Sequence, residues 1–165
     1  MNTARRRSAF TLAELGAVLA ATSVVAALAY SAYRTYAVRK EVNAGIALAN
    51  ELIPAVTEFF HRHGEVPATL EPPAAHSEHA SPFVESVTID AGRIDVLYGA
   101  QADPSIAGRR ISLTPYETAQ GHVVWLCGNE TPDLGLEPLG FAGGGRQAAQ
   151  IPTTIEARYL SGPCR

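Results

Sequence analysis

Apolar residues fall along this chain in three successive patterns. From Phe10 to Tyr33 they are nearly continuous, with Leu12, Leu15, Val18, Leu19, Val24, Val25 and Leu28 set among alanines and one charge, Glu14. From 34 to 63 they become periodic: Val38, Val42, Ile46, Ala49, Leu52 or Ile53, Val56 and Phe59 or Phe60 recur at steps of three and four, which marks one buried helical face. Arg39, Lys40, Glu41, Asn43, Asn50, Glu51 and Glu58 fill the solvated side. The two patterns predict one helix from about Phe10 to about His61, roughly 78 Å long at 1.5 Å per residue. Pro54 removes a backbone hydrogen bond and is expected to bend it, and Gly64 to end it.

The third pattern alternates. Val84 to Asp90 and Arg93 to Tyr98, separated by Ala91-Gly92, read as an antiparallel hairpin, and Arg110 to Thr114 and His122 to Cys127 as two further strands. Val123, Trp125 and Cys127 then share a face. Between helix and sheet, Pro67, Pro72, Pro73 and Pro82 predict a loop from Gly64 to Pro82, and the glycine- and proline-rich chain after Cys127, with Gly143-Gly144-Gly145 at its middle, predicts little regular structure. The fold class expected is α+β: a long amino-terminal helix with a four-stranded antiparallel sheet packed on its outer half.

The continuous apolar stretch is long enough to span a bilayer, which takes about 20 residues. Arg5, Arg6 and Arg7 precede it, so the positive-inside tendency keeps the start cytoplasmic and sends everything after Tyr33 outward. A secretory signal peptide is the alternative, but the stretch exceeds the usual apolar core of about 7 to 15 residues and its helical pattern continues downstream. Glu14 is the informative residue. A carboxylate in hydrocarbon costs a few kcal/mol, which makes it a functional-site candidate.

Charge and cysteines narrow the remaining classes. The chain of 165 residues has a formal charge of −3, and without Arg5, Arg6 and Arg7 its 13 basic residues fall to 10 against 16 acidic, which disfavours a nucleic-acid surface. Cys127 and Cys164 lack CxxC spacing, so neither a zinc ribbon nor a redox pair is indicated. A structural disulfide in an oxidising compartment is the reading, with two buried thiols as the alternative. His61 and His63 point apart on a helix, and His76, Glu78 and His79 form a second small cluster; solvated histidines outweigh a metal site. Ser105 and Ser112 have no nucleophile motif around them, Asn129-Glu130-Thr131 is followed by Pro132, which disfavours glycosylation, and no cofactor is indicated.

Ser8-Ala9-Phe10-Thr11-Leu12-Ala13-Glu14-Leu15 resembles the signal of type IV pilin precursors, which a membrane peptidase cuts before a phenylalanine opening an "FTLxEL" run. The carboxyl end is similar too, with Trp125 two residues before Cys127 and a disulfide-bounded loop to Cys164. The resemblance implies a leader 1–9 removed between Ala9 and Phe10, methylation of Phe10, and Glu14 as the fifth mature residue. It further implies a filament-core helix at 10–33, its amphipathic continuation at 34–63, and a globular head at 64–165. The partners implied are the prepilin peptidase, the inner-membrane assembly machinery and other copies of the chain in a helical filament. The protein is then expected in the inner membrane, head in the periplasm, before it enters an extracellular pilus. Ala9 replaces the usual glycine, and Ser31 stands where many major pilins have proline. A freed amino group on Phe10, titrating at about 7.7 to 8, would be positive near neutral pH, and a neighbour's Glu14 is a suitable counter-ion to set axial register. Adhesion, twitching motility and DNA uptake are the roles such filaments serve, and the residues do not choose among surface, glycan or DNA ligands. A minor pilin, a secretion-system pseudopilin and a non-assembling anchored receptor are the competing readings.

Overall fold

The computed structural model describes residues 11–69, 81–141, 143 and 145–164. The long helix α1 runs Leu12–His63 and continues through Pro54. It closes where Gly64 adopts φ 72° and its N–H donates to the Phe60 carbonyl at 2.8 Å, the left-handed termination that glycine supplies. The chain divides between Thr35 and Tyr36 into two units. In the first, residues 11–34 are all exposed.

In the second unit the helix buries Val38, Val42, Gly45, Ala49, Leu52 and Val56, alternating steps of four and three. Periodicity had placed Ile46 in this row, but the buried position is Gly45 and Ile46 lies half-buried beside it. The cause is Tyr98, whose hydroxyl donates to the Val42 carbonyl at 2.6 Å. A Cβ on residue 45 would come within 2.8 Å of Tyr98 Cζ, so the ring packs there only against glycine.

The sheet comprises β1 (Val84–Asp90), β2 (Arg93–Tyr98), β3 (Arg110–Glu117) and β4 (Val123–Cys127) in antiparallel order, and a short β5 (Glu137–Pro138) also pairs with β3. Ala91 and Gly92 both take positive φ, 47° and 75°, as a two-residue turn matched to strand twist requires. Strand β3 runs past Thr114 because Pro115 lies beyond the last β2 pair, Ile94 with Leu113, so its missing N–H removes no bond to β2. Its carbonyl accepts from Leu139 N–H at 3.1 Å.

One sheet face carries Ile89, Ile94, Val96, Tyr98, Ile111 and Leu113 into the core with the helical row, Ile155 and Leu160. The other carries buried polar groups, Arg93, Asp95, Ser112 and Thr114. Burial of an ion pair is tolerable only with its hydrogen bonds made. Here Arg93 Nε reaches both Asp95 oxygens at 3.0 Å, Nη2 reaches Asp90 at 2.9 Å, and Nη1 donates to the Ala149 carbonyl at 2.9 Å. The chain after β5 thus docks on a charged residue that alternation alone reads as solvent-facing. Single-turn 3-10 helices at Ala157–Tyr159 and Gly162–Cys164 complete the tail.

Candidate functional site

The amino-terminal turn is built by a threonine and a glutamate three residues apart. Thr11 N–H and Thr11 Oγ1 donate to Glu14 Oε2 at 2.9 and 2.8 Å, and Glu14 N–H donates back to Thr11 Oγ1 at 3.3 Å. This reciprocal pairing is a capping box, which closes helix donors that have no partner one turn back. The Thr-x-x-Glu spacing was its signal in the sequence, and the charge alone had drawn attention. Ala9 and Phe10, the residues of the expected cleavage, lie outside the described residues.

Beyond this turn the helix presents Leu12, Leu15, Val18, Leu19, Val24, Val25 and Leu28 outward, each at least half exposed. The stretch is long and apolar enough to cross a membrane, and none of it is buried within the chain. Its hydroxyls fold back on the backbone: Thr22 Oγ1 donates to the Val18 carbonyl at 3.0 Å and Ser23 Oγ to the Ala20 carbonyl at 2.8 Å. Those two residues therefore bring no unsatisfied donor into an apolar medium. An apolar helix exposed on every side needs lipid or other helices to cover it.

The second unit is closed by a disulfide between Cys127, at the end of β4, and Cys164, with Cα atoms 4.6 Å apart. Both cysteines are buried. Gly128 has φ 68°, and a Cβ there would lie 2.6 Å from the Cys164 carbonyl oxygen, so the chain leaves the sheet through a position suited to glycine. The tail has other anchors. Thr154 N–H donates to the Arg110 carbonyl at 3.0 Å, Arg109 Nη1 to the Thr154 carbonyl at 2.7 Å, and Arg39 Nε to the Arg158 carbonyl at 2.8 Å. Trp125 packs against the core, as the alternation had placed it.

The histidines go elsewhere. His63 Nδ1 pairs with the Phe59 carbonyl at 2.9 Å and its ring stacks on Phe59 at 4.1 Å between centroids. His76, Glu78 and His79 lie outside the described residues. Among the described residues no three His, Cys, Asp or Glu side chains gather as a metal site would require.

A family model described as pilin, a bacterial filament, matches residues 38–165. The chain belongs to the pilin family, a structural rather than an enzymatic one. A fimbrial protein of Neisseria meningitidis serogroup A is 34% identical over 174 aligned residues, covering 100% of this chain and 96% of its own length. Another, from serogroup B, is 35% identical over 131 residues, 78% of this chain and 75% of its own. The type IV major pilin protein PilE1 of Neisseria gonorrhoeae is 30% identical over 172 residues, covering 100% of this chain and 89% of its own. Within the pilin family the chain is a type IV pilin, a subunit of a pilus.

Proposed function

We propose that the chain is inserted in the inner membrane through residues 10–33, loses its leader 1–9 between Ala9 and Phe10, is methylated on Phe10, and then polymerises into an extracellular filament by exchanging lipid for neighbouring helices. The observation that carries this reading is the unburied apolar surface of residues 11–33, capped by that stretch's one charged residue, Glu14. Small residues such as Gly16, Ala20, Ala21, Ala26 and Ala27 allow helices to approach closely. Glu14 pairs with the freed amino terminus of an adjacent subunit and so sets axial register. The peptidase and the inner-membrane assembly machinery are the partners this route requires. The segments 34–63 and 64–165 act as the helix continuation and the displayed head.

The disulfide and the name carried by the gonococcal relatives favour a major subunit over a minor pilin or pseudopilin. Adhesion, twitching motility and DNA uptake are the roles open to such a filament. Intact mass of protein purified from its cells tests the reading: loss of residues 1–9, one added methyl group and two hydrogens missing for the disulfide are expected. Glu14→Ala should stay in the membrane and stop filament formation. Mature protein starting well past Tyr33, or normal filaments from that variant, would overturn it.

A further inference from the structure

Among the described residues, the sheet face turned away from α1 is covered over only part of its area. Register sets Thr88 beside Asp95 and Asp95 beside Ser112, and, one pair along, Ser86 beside Leu97 and Leu97 beside Arg110. Toward the hairpin end the face is shut by the tail, where Arg93 holds Ala149 and Tyr116 Oη donates to Gln150 Oε1 at 3.0 Å. Toward the other end a cleft of about 370 Å³ stays open, lined by Ser86 and Thr88 of β1, Asp95 and Leu97 of β2, Arg110 of β3, and Thr154 of the tail. That volume is at the small end of ligand sites, which run from about 300 to 1,000 Å³.

Its charges are unevenly matched. Asp95 is satisfied from within the protein, by Arg93 Nε and Nη2 and by Ser112 Oγ. Arg110 has no ion pair among the described residues, and its buried Nε has no hydrogen-bond partner. Its main chain is engaged, with N–H donating to Thr154 Oγ1 at 2.8 Å and the carbonyl accepting from Thr153 Oγ1 at 2.7 Å, so the backbone beneath the guanidinium is held in place. The hydroxyls of Ser86 and Thr88 make no side-chain hydrogen bond among the described residues. The cleft therefore offers one uncompensated planar cation, hydroxyls that both donate and accept, and the apolar surface of Leu97.

From this set we infer that the cleft binds a carboxylate-bearing sugar of uronate type. Arg110 takes the carboxylate, since a guanidinium matches its two oxygens. Ser86 and Thr88 meet ring hydroxyls, and Leu97 meets a C–H face of the ring. Affinity for a single residue is on the order of millimolar, the scale for so few contacts. The site lies wholly in the second unit and needs no second subunit, so its failure would leave the filament reading untouched.

Saturation-transfer difference NMR on the full-length protein in a non-ionic polyoxyethylene detergent tests it, with glucuronate, glucose and acetate as probes. Saturation should reach glucuronate more than either of the others. Arg110→Gln should weaken glucuronate binding about tenfold, the value of a hydrogen-bonded charge. Thr88→Ile, at an exposed strand position, should block the cleft with Arg110 intact, and it decides the matter if the first variant does not fold. Equal signals from glucuronate and glucose, no transfer to glucuronate from the wild-type protein, or retention of its signal in either folded variant would overturn the inference.

Discussion

Reducing the Cys127–Cys164 bond perturbs the second unit in a way whose size follows from its place in the chain. The cysteines are 37 residues apart, and in the chain-entropy treatment a cross-link of that span lowers unfolded-state entropy by an amount equal to about 4 kcal/mol at 25 °C. The folded state has little reason to change. Thr154 still bonds Arg110, Arg39 still bonds Arg158, and Ile155 and Leu160 remain buried. The loss should therefore come from a freer unfolded chain, not from a detached tail. Guanidinium unfolding of the micelle-bound protein, followed by Trp125 fluorescence with and without a phosphine reductant, measures it. With slopes of a few kcal/mol per molar, the midpoint should fall by roughly 1 M. The native-state emission wavelength should stay unchanged, and trypsin should cut at Arg158 no faster. A stability loss under about 1 kcal/mol, or rapid cleavage at Arg158 in the reduced native protein, would refute the reasoning.

Gly45→Ala should destabilise the second unit by about 1 to 3 kcal/mol through overpacking against Tyr98, and Tyr98→Phe should recover part of that loss because the hydroxyl is the atom nearest the new methyl. A double-mutant cycle on urea midpoints checks it, and additive losses would count against the packing argument. Burial also pushes the Tyr98 phenol well above its ordinary value near 10. The folded chain then keeps a proton that the unfolded chain releases, so this contribution is complete below about pH 10 and declines as pH rises beyond it. Unfolding at pH 8 and pH 11 should show a steeper alkaline loss in wild type than in Tyr98→Phe, while Tyr116, raised the same way, leaves a residual slope in both.

Local chemistry made some elements legible before any coordinates. The hairpin was readable because Ala91-Gly92 sits between Val87 with Ile89 and Ile94 with Val96, which alternate on either side of it, and the helix end because Gly64 follows the last periodic residues. The Trp125 face followed from period two alone. Gly45 was not readable, because its reason is a tyrosine on β2 that no window along the helix contains. The burial of Arg93 and Asp95 was not readable for a related cause: polar residues at alternating positions carry the pattern of a wet face, and the tail that covers them arrives from far along the chain. Strand β3 was cut short at Thr114, since whether a proline interrupts a ladder depends on where the neighbouring strand stops. In the candidate site, Glu14 and the cysteines stood out by charge and by type, whereas the help that Thr11, Thr22 and Ser23 give was hidden in ordinary residues.

On the assembly route proposed above, the small ring of contacts between Thr11 and Glu14 bears on how quickly a monomer in the bilayer is recruited. Freezing a long acidic side chain at the moment of encounter sacrifices rotamer entropy of about 1 to 2 kcal/mol. With one oxygen already tied to its own first turn, most of that ordering is complete before a partner arrives. The same tether hands hydrocarbon a carboxylate with two donors attached, a milder intruder than a bare anion. On that proposed route, a single threonine makes the acid easier to store and faster to use.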